Sequence, residues 1–323
     1  PPYIFNKTPI PLILYSDVTF LGEDFLSEDF FKEFVLSVSK DINSIYLKTD
    51  SPEKINLEFV SANPTGDLHL GHARGAAYGD AVARMLIKQG HEVIKEYYIN
   101  DAGSQMDNLG LSVLHFYKLI CGLESDLPEG GYGGKEIKEV AQNIYDEFKD
   151  AKLNEDMIWF REIAYERNLN EIKRILNQLN ISYDVWSSER FYHETKLVDK
   201  NLDILEKSGD IYHEDGATWL NTTKYGDDKN RVIRKNDGSL TYFAADIAYH
   251  IDKFNRGDKL INVWGGDHHG YMKRVKCAME SLGHKQEDIE ILLIQINFKN
   301  GKSFYFKLKE KNEEFDLEKF SIA

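Results

Sequence analysis

The sequence predicts an α/β protein: a parallel β-sheet built in two halves, with a mostly helical stretch between them. Three observations carry that prediction. Residues 55–99 run strand, turn, helix, strand, the βαβ unit of a parallel sheet. Residues 242–295 alternate again as helix, strand, turn, helix, strand. Residues 104–190 carry helical periodicity interrupted by a glycine-rich loop.

Each element has a residue-level reason. Within residues 1–50 the signals are mixed: Pro9 and Pro11 mark residues 1–16 as strand or loop. Ser27, followed by Glu28 and Asp29, opens a helix with Phe30, Phe31, Phe34, Val35 and Val38 at helical spacing. After a polar connection, Ile55, Leu57 and Phe59 alternate with Asn56 and Glu58, which predicts a strand over residues 55–60. Asn63-Pro64-Thr65-Gly66 is a turn. A helix over residues 72–88 places Ala77, Ala81, Met85 and Leu86 on one face, and Gly90 caps its C-terminus. Residues 93–99 form a second strand, closed by Asn100-Asp101-Ala102-Gly103. Ile163, Tyr165, Ile172, Ile175, Leu176 and Leu179 stripe a helix over residues 158–179. Residues 190–240 read as short strands and turns. A helix over 242–254, a central strand over 260–264, a turn, a helix over 271–282 capped by Gly283 and a buried strand over 289–295 complete the second half.

Composition bounds the function. A length of 323 residues suggests two or three domains. With 42% hydrophobic and 29% charged residues the chain is an ordinary globular protein, not a disordered one. No apolar run is long enough to span a membrane, and residues 10–15 lack the flanks of a secretion signal. Two cysteines, Cys121 and Cys277, build no disulfide framework and favour a reducing compartment, the cytoplasm. The net charge of −14 argues against a generic nucleic-acid coat but leaves room for a local patch. Lys224, Lys229, Arg231, Arg234 and Lys235 form one basic cluster, and Lys299, Lys302, Lys307, Lys309 and Lys311 another; each is either solvated surface or a phosphate contact. The chain opens Pro1-Pro2 without a Met, as a processed product or a fragment does.

The chemistry concentrates in a few strings. His69-Leu70-Gly71-His72 follows a strand and the Asn63-Pro64-Thr65-Gly66 turn and opens a helix. Backbone amides and the helix dipole favour an anion there, and Gly71 lets a ligand approach the backbone. Two imidazoles can donate to phosphate oxygens as charge builds. A metal site is disfavoured, because the spacing is i, i+3 with no Glu between, and neither cysteine is near in sequence. Gly130-Gly131-Tyr132-Gly133-Gly134-Lys135 is not a P-loop: Glu129 stands where Gly is needed, Glu136 where Ser or Thr is needed, and no strand precedes it. Tyr242 and Asp246 share a helix face and could meet one cationic group, or simply face solvent. Gly265-Gly266-Asp267-His268-His269 follows a strand, where ligands bind in such sheets; it is a ribose contact or an ordinary turn.

The string EFVSANPTGDLHLGHARGAAYGDAVARMLIKQGHEVIKEYYINDAGSQMDN from Glu58 to Asn108 resembles class I arginyl-tRNA synthetases. TYFAADIAYH and WGGDHHGYMKRVKCAMESLG resemble the same family, as does SERFY at residues 188–192, so the likeness covers most of residues 55–295. The resemblance implies a Rossmann-type catalytic domain whose halves flank a helical insertion. It implies a remnant of the N-terminal tRNA-contacting domain in 1–50, catalytic halves in 51–103 and 191–304, the insertion in 104–190, and the start of the C-terminal helical region in 305–323. The implied activity is ATP-dependent activation of L-arginine and its transfer to tRNA(Arg), the first step requiring bound tRNA. The implied form is a cytoplasmic monomer using ATP with Mg²⁺ as a substrate complex, with no metal held by the protein. Carried over by position, His69 and His72 are catalytic, and Gly66, His69, Gly71, His72, Gly265, Asp267 and His268 bind ATP. Glu58, Ser61, Asn63, His72, Tyr242 and Asp246 bind arginine, because a carboxylate is the expected partner of a guanidinium.

One departure stands out. The family's second signature, Lys-Met-Ser-Lys, should follow the strand at 289–295, where the chain reads INFKNGKSFYFKLKEKNEEFDLEKFSIA. Asn300-Gly301-Lys302-Ser303-Phe304 resembles the lead into that motif, and the residues from Tyr305 on resemble what lies beyond it. The expectation is that a loop segment is absent between Phe304 and Tyr305, and that the anticodon-binding domain is absent as well. The alternatives are a catalytically silent synthetase-like binding protein and another nucleotidyltransferase with the same His pair.

Overall fold

The computed structural model describes residues 48–265, 269–294, 298–299 and 303–304, with four isolated positions (32, 36, 39 and 40) before them. The expectations for residues 1–47, for Gly266, Asp267 and His268, and for the tail beyond Phe304 lie outside the described residues. The chain divides into two units, and all the elements below belong to the second, Asp50–Ala323.

In chain order these are β1 (Lys54–Glu58), α1 (Leu70–Gln89), β2 (Glu92–Ile99), α2 (Ser104–Ile120), α3 (Lys135–Phe148), α4 (Met157–Gln178), β3 (Val185–Ser188), α5 (Glu189–Glu194), α6 (Leu197–Ser208), β4 (Ile211–Glu214), β5 (Ala217–Leu220), β6 (Arg231–Arg234), α7 (Tyr242–Phe254), β7 (Lys259–Gly265), α8 (His269–Glu280) and β8 (Ile289–Ile294). A short antiparallel ladder, β9 (Phe298–Lys299) with β10 (Ser303–Phe304), follows.

The main sheet has the order β3-β2-β1-β7-β8, and every pair in it is parallel. The strand order reverses between β1 and β7, so the crevice outside their carboxyl ends is the ligand position for such a sheet. Glu58 and Asn262 are register partners there. Strands β4, β5 and β6 form a separate antiparallel sheet.

The two faces of the main sheet differ. On one, Ile55, Leu57, Tyr97, Ile99, Ile261 and Val263 pack with α1 and with Leu169, Ile172 and Leu176 of α4. On the other, Leu260, Ile289 and Ile291 pack with Phe243, Ile247 and Ala248 of α7 and Ala278 and Met279 of α8. Helices α2, α3 and the first half of α4 have their own core around Met106, Tyr117, Ile137, Ile144 and Phe160. Helix α4 thus joins that cluster to the sheet, and its Asn168 Nδ2 donates to Pro64 O at 3.0 Å, tying it to the turn after β1.

Three details differ from the sequence reading. Residues 185–188, inside the stretch read as helical, form β3 and extend the sheet beside β2. Most of residues 190–208, read as strands and turns, lies in two helices. The buried face of α1 is Gly75, Ala76, Gly79, Asp80, Val82, Ala83 and Leu86, while Ala77 and Ala81 are exposed. The reason is the close approach of α1 to the strand end: a Cβ on Gly79 would lie 2.2 Å from Cγ of Phe59. In addition, Asn56 and Glu58, the polar positions of the β1 alternation, are 0% and 5% exposed. They form a buried polar layer beneath α7.

Candidate active site

The crevice at the switch point is a cavity of about 500 Å³, within the usual size of a small-molecule site. Its walls come from the end of β1 (Glu58, Val60, Ser61, Asn63), the end of β2 (Tyr98, Asn100), α5 (Glu189), α7 (Tyr242, Asp246, Tyr249, His250), the end of β7 (Val263, Trp264, Gly265) and α8 (Tyr271). Five residues expected to bind arginine, Glu58, Ser61, Asn63, Tyr242 and Asp246, line one cavity with Gly265.

Its floor leaves β1 through an unusual turn. The Ser61 amide donates to Phe59 O at 3.0 Å, closing a three-residue turn around Val60, whose φ is 70°. Ser61 follows at φ 43°. A positive-φ γ-turn is strained, and a β-branched residue at positive φ is an outlier. The Ser61 hydroxyl donates to Glu58 Oε1 at 2.9 Å and accepts from the Tyr98 amide at 3.1 Å. Asn63 is exposed and donates to Gln105 Oε1 at 3.0 Å.

The charges fall into two groups. Glu58 is already matched: its Oε2 accepts from Lys253 Nζ at 2.8 Å and from the Tyr249 hydroxyl at 3.1 Å. Burial pushes its pKa up, but the Lys253 ammonium and its hydrogen bond, together with His250 and the Ser61 hydroxyl, outweigh that and hold it below the usual carboxylate range. Asp246 and Glu189 have no such partner; among the described residues, Asp246 has no ion pair, and Glu189 has only His193, 3.6 Å away. The Tyr271 hydroxyl donates to Asp246 Oδ2. Burial, reinforced by the Glu189 and Glu58 carboxylates and opposed by that bond, pushes Asp246 up to about 7. Burial raises Glu189 too. His250 is held neutral, with burial and the Lys253 charge lowering it to about 4. Tyr242 stands at the rim, 75% exposed, where its hydroxyl lies 3.6 Å from the place a Cβ on Gly103 would take.

His69 and His72 do not line this cavity. They form the start of α1. The Gly71 amide donates to His69 Nδ1 at 3.1 Å and the His69 amide to His72 Nδ1 at 3.2 Å, a reciprocal cap. The rings stack with centroids 3.7 Å apart. With both Nδ1 atoms accepting, each neutral ring carries its proton on Nε2, as an outward donor. Burial and the neighbouring His69 lower His72 to about 4, so it is neutral at pH 7. Gly66 lies in the turn before α1. Gly75, on the first turns of that helix, faces Ile294 at the end of β8, which sets the His pair near the carboxyl ends of the second half of the sheet. Asp267 and His268 lie outside the described residues.

The sequence reading missed Glu189, Tyr98, Tyr249, Tyr271 and Lys253. Glu189 had a signal: read 185–188 as a strand, and Glu189 falls at its carboxyl end. Asp101, at 3% exposure, braces that corner: it accepts from the Tyr165 hydroxyl at 3.0 Å, the Ser188 hydroxyl at 2.7 Å and the Arg190 amide at 2.9 Å. The first basic cluster is largely neutralised, since Lys224 pairs with Asp210, Arg231 with Asp227 and Asp228, and Arg234 with Asp199. Among the described residues no group of three or more His, Cys, Asp or Glu is placed to hold a metal, and no helix is long and apolar enough to cross a membrane.

A doubly wound parallel sheet, a cation-receptive cleft at its switch point and a His-x-Gly-His helix start define the catalytic domain of a class I aminoacyl-tRNA synthetase. The chain belongs to the family described as tRNA synthetases class I (R), catalytic domain, which it matches over residues 36–304. It is 49% identical over 256 residues to arginine–tRNA ligase of Bacillus licheniformis, covering 77% of this chain and 46% of that protein. It is 46% identical over 286 residues to arginine–tRNA ligase 1 of Halalkalibacterium halodurans, covering 86% and 51%. The chain spans about half the length of these curated relatives. Among solved structures, a putative arginyl-tRNA synthetase from Campylobacter jejuni superposes with a TM-score of 0.75 at 39% identity, covering 84% of this chain and 61% of that one. The Thermus thermophilus arginyl-tRNA synthetase shares the fold, with a TM-score of 0.54 at 21% identity, over 80% of this chain and 52% of that one.

Proposed function

We propose that the chain is the catalytic part of an arginine–tRNA ligase, activating L-arginine with ATP and passing it to the 3′ end of tRNA(Arg). The observation that carries this reading is the pair of carboxylates, Asp246 and Glu189, facing one cleft without a Lys or Arg partner among the described residues. Arginine offers the cleft two cationic groups, a guanidinium and an ammonium. We assign Asp246 to the guanidinium, with Tyr242 at the rim, and Glu189, Ser61 and Asn63 to the rest of the ligand. Glu58 is a wall residue whose charge Lys253 already balances.

In the first step an oxygen of the arginine carboxylate attacks the α-phosphorus of ATP. The phosphorus–oxygen bond to pyrophosphate breaks, and pyrophosphate leaves with the electron pair. No enzyme nucleophile is needed; the chain contributes positioning and charge stabilisation. The Nε2–H groups of His69 and His72 donate to phosphate oxygens as negative charge builds. Gly66, Gly71, Gly265, Asp267 and His268 are assigned to the nucleotide, which enters as its Mg²⁺ complex. In the second step a ribose hydroxyl of the tRNA terminal adenosine attacks the arginyl carbonyl, and AMP leaves. The reading places the protein in the cytoplasm, in accord with two free cysteines, Cys121 and Cys277, and as a monomer.

The test is exchange of pyrophosphate into ATP, with and without tRNA(Arg), across the amino acids. Exchange confined to arginine is the expected result. Exchange with no amino acid overturns the reading in favour of a silent binding protein, and exchange independent of the amino acid favours another nucleotidyltransferase.

A further inference from the structure

Lys253 is a wholly buried ammonium, 0% exposed, which the chemistry above does not use. Its Nζ donates to Glu58 Oε2 at 2.8 Å and to Asn262 Oδ1, and lies 5.0 Å from the centre of the Tyr249 ring. Glu58 and Asn262 are register partners on β1 and β7, the two strands that flank the crevice. One ammonium therefore joins both strands at the point where the sheet order reverses.

We propose, building on the assignment of this cleft to arginine, that Lys253 is a positioning residue that sets both walls of the pocket. The first wall is the turn after β1. Val60 and Ser61 adopt left-handed conformations, which persist only where the surroundings over-determine them. The charge-assisted bond holding that turn is Ser61 Oγ to Glu58 Oε1 at 2.9 Å. Glu58 keeps its charge at that depth because Lys253 lies against its other oxygen.

The second wall is α7. Asp246, Tyr249, His250 and Lys253 stand at i, i+3, i+4 and i+7, one face of the helix. Lys253 fixes the rotation of that face against the strands. Asn262 supports it from β7: its Nδ2 meets His250 Nε2 at 3.1 Å, which leaves the His250 proton on Nδ1, facing Asp246 O at 2.8 Å. Buried ion pairs add little net stability over apolar packing of the same volume, so the contribution of this pair is the geometry it imposes.

The experiment uses the full chain and three forms: wild type, Lys253→Met, and Lys253→Met combined with Glu58→Gln. The double variant removes both charges and guards against a single variant that does not fold. Three quantities are read: amide hydrogen exchange over residues 60–63 without ligand, calorimetric Kd values for arginine and for ATP, and the urea midpoint. Both variants are expected to speed exchange at 60–63 and to weaken arginine by about tenfold, the factor of one charge-assisted hydrogen bond, with ATP within about twofold. The double variant is expected to regain the urea midpoint of the wild type without regaining either. A double variant with wild-type exchange at 60–63 and wild-type arginine Kd overturns the proposal and reduces the pair to packing. If wild type binds no arginine, the functional assignment fails, and the exchange measurement alone decides the role of Lys253.

Discussion

Replacing Asp246 by Asn keeps the size of the side chain and an acceptor for the Tyr271 hydroxyl, and removes only the charge. The group has no cation against it among the described residues and has Glu189 as a like-charged neighbour. Two opposite unit charges about 4 Å apart attract by about 4 kcal/mol at an effective dielectric of about 20. Truncating one member of a buried charged pair costs about 2–5 kcal/mol, and about 3 kcal/mol weakens arginine roughly 150-fold. Titration calorimetry at pH 8 measures this, with ATP as the control ligand. A second arm uses pH. The folded pKa of Asp246 is raised from 3.8 to about 7, and only the ionised form pairs with a guanidinium. Arginine affinity therefore rises with pH through about 7, and wild type binds about tenfold more weakly at pH 6 than at pH 8. His72 and His250, both near 4, stay neutral across that window. The sign for folding is opposite: the stability that the raised pKa contributes is complete below about 3.8 and is lost as pH rises to about 7. An Asn variant that binds arginine as tightly as wild type, or that keeps the same pH slope, would refute the assignment.

Three further outcomes follow from the geometry. His72→Asn keeps an acceptor for the His69 amide but loses the Nε2 donor, so the exchange rate constant falls by about 10²–10³ while calorimetric arginine affinity stays put; a matched loss of arginine binding would place His72 in the other pocket. Gly79→Ala drives a methyl into the Phe59 ring and costs about 1–3 kcal/mol in urea unfolding, and a neutral result would mean that α1 lies farther from the strand. Arg256→Met strips Glu96, 0% exposed, of the Nη2 contact at 2.7 Å; unfolding measurements should show a loss of about 3–5 kcal/mol, much of it recovered by adding Glu96→Gln.

The elements with long periodic patterns were legible in the sequence. Helix α7 begins at Tyr242 and ends at Phe254 as expected, because its apolar period and Thr241 cap agree. Strands β1 and β7 and the Gly90 cap follow from equally local signals. Strand β3 was not legible: four residues carry too short a period, and its pairing with β2 spans nearly 90 residues of chain. Missing it hid Glu189. The burial of the polar half of β1 was not legible for a different reason. Period two says that Asn56 and Glu58 face away from Ile55 and Leu57, but not that Lys253 of α7 reaches Glu58 or that Glu96 of β2 takes the Asn56 side-chain amide. The Tyr242–Asp246 pair was visible as a spacing; its depth in the cleft, and the uncompensated carboxylate beside it, were not.

The strand order also sets a timetable. Residues of β1 and β2 can pair as soon as both leave the ribosome, but the other edge of β1 waits for β7. The two are separated by about 200 residues, which at roughly 5–20 residues per second is tens of seconds of synthesis. Through that interval Ile55 and Leu57 sit on a strand with one open edge and its unpaired amides and carbonyls. The crevice at the switch point is therefore a seam that can form only after residue 259 has been made, and β8 adds to the sheet after that.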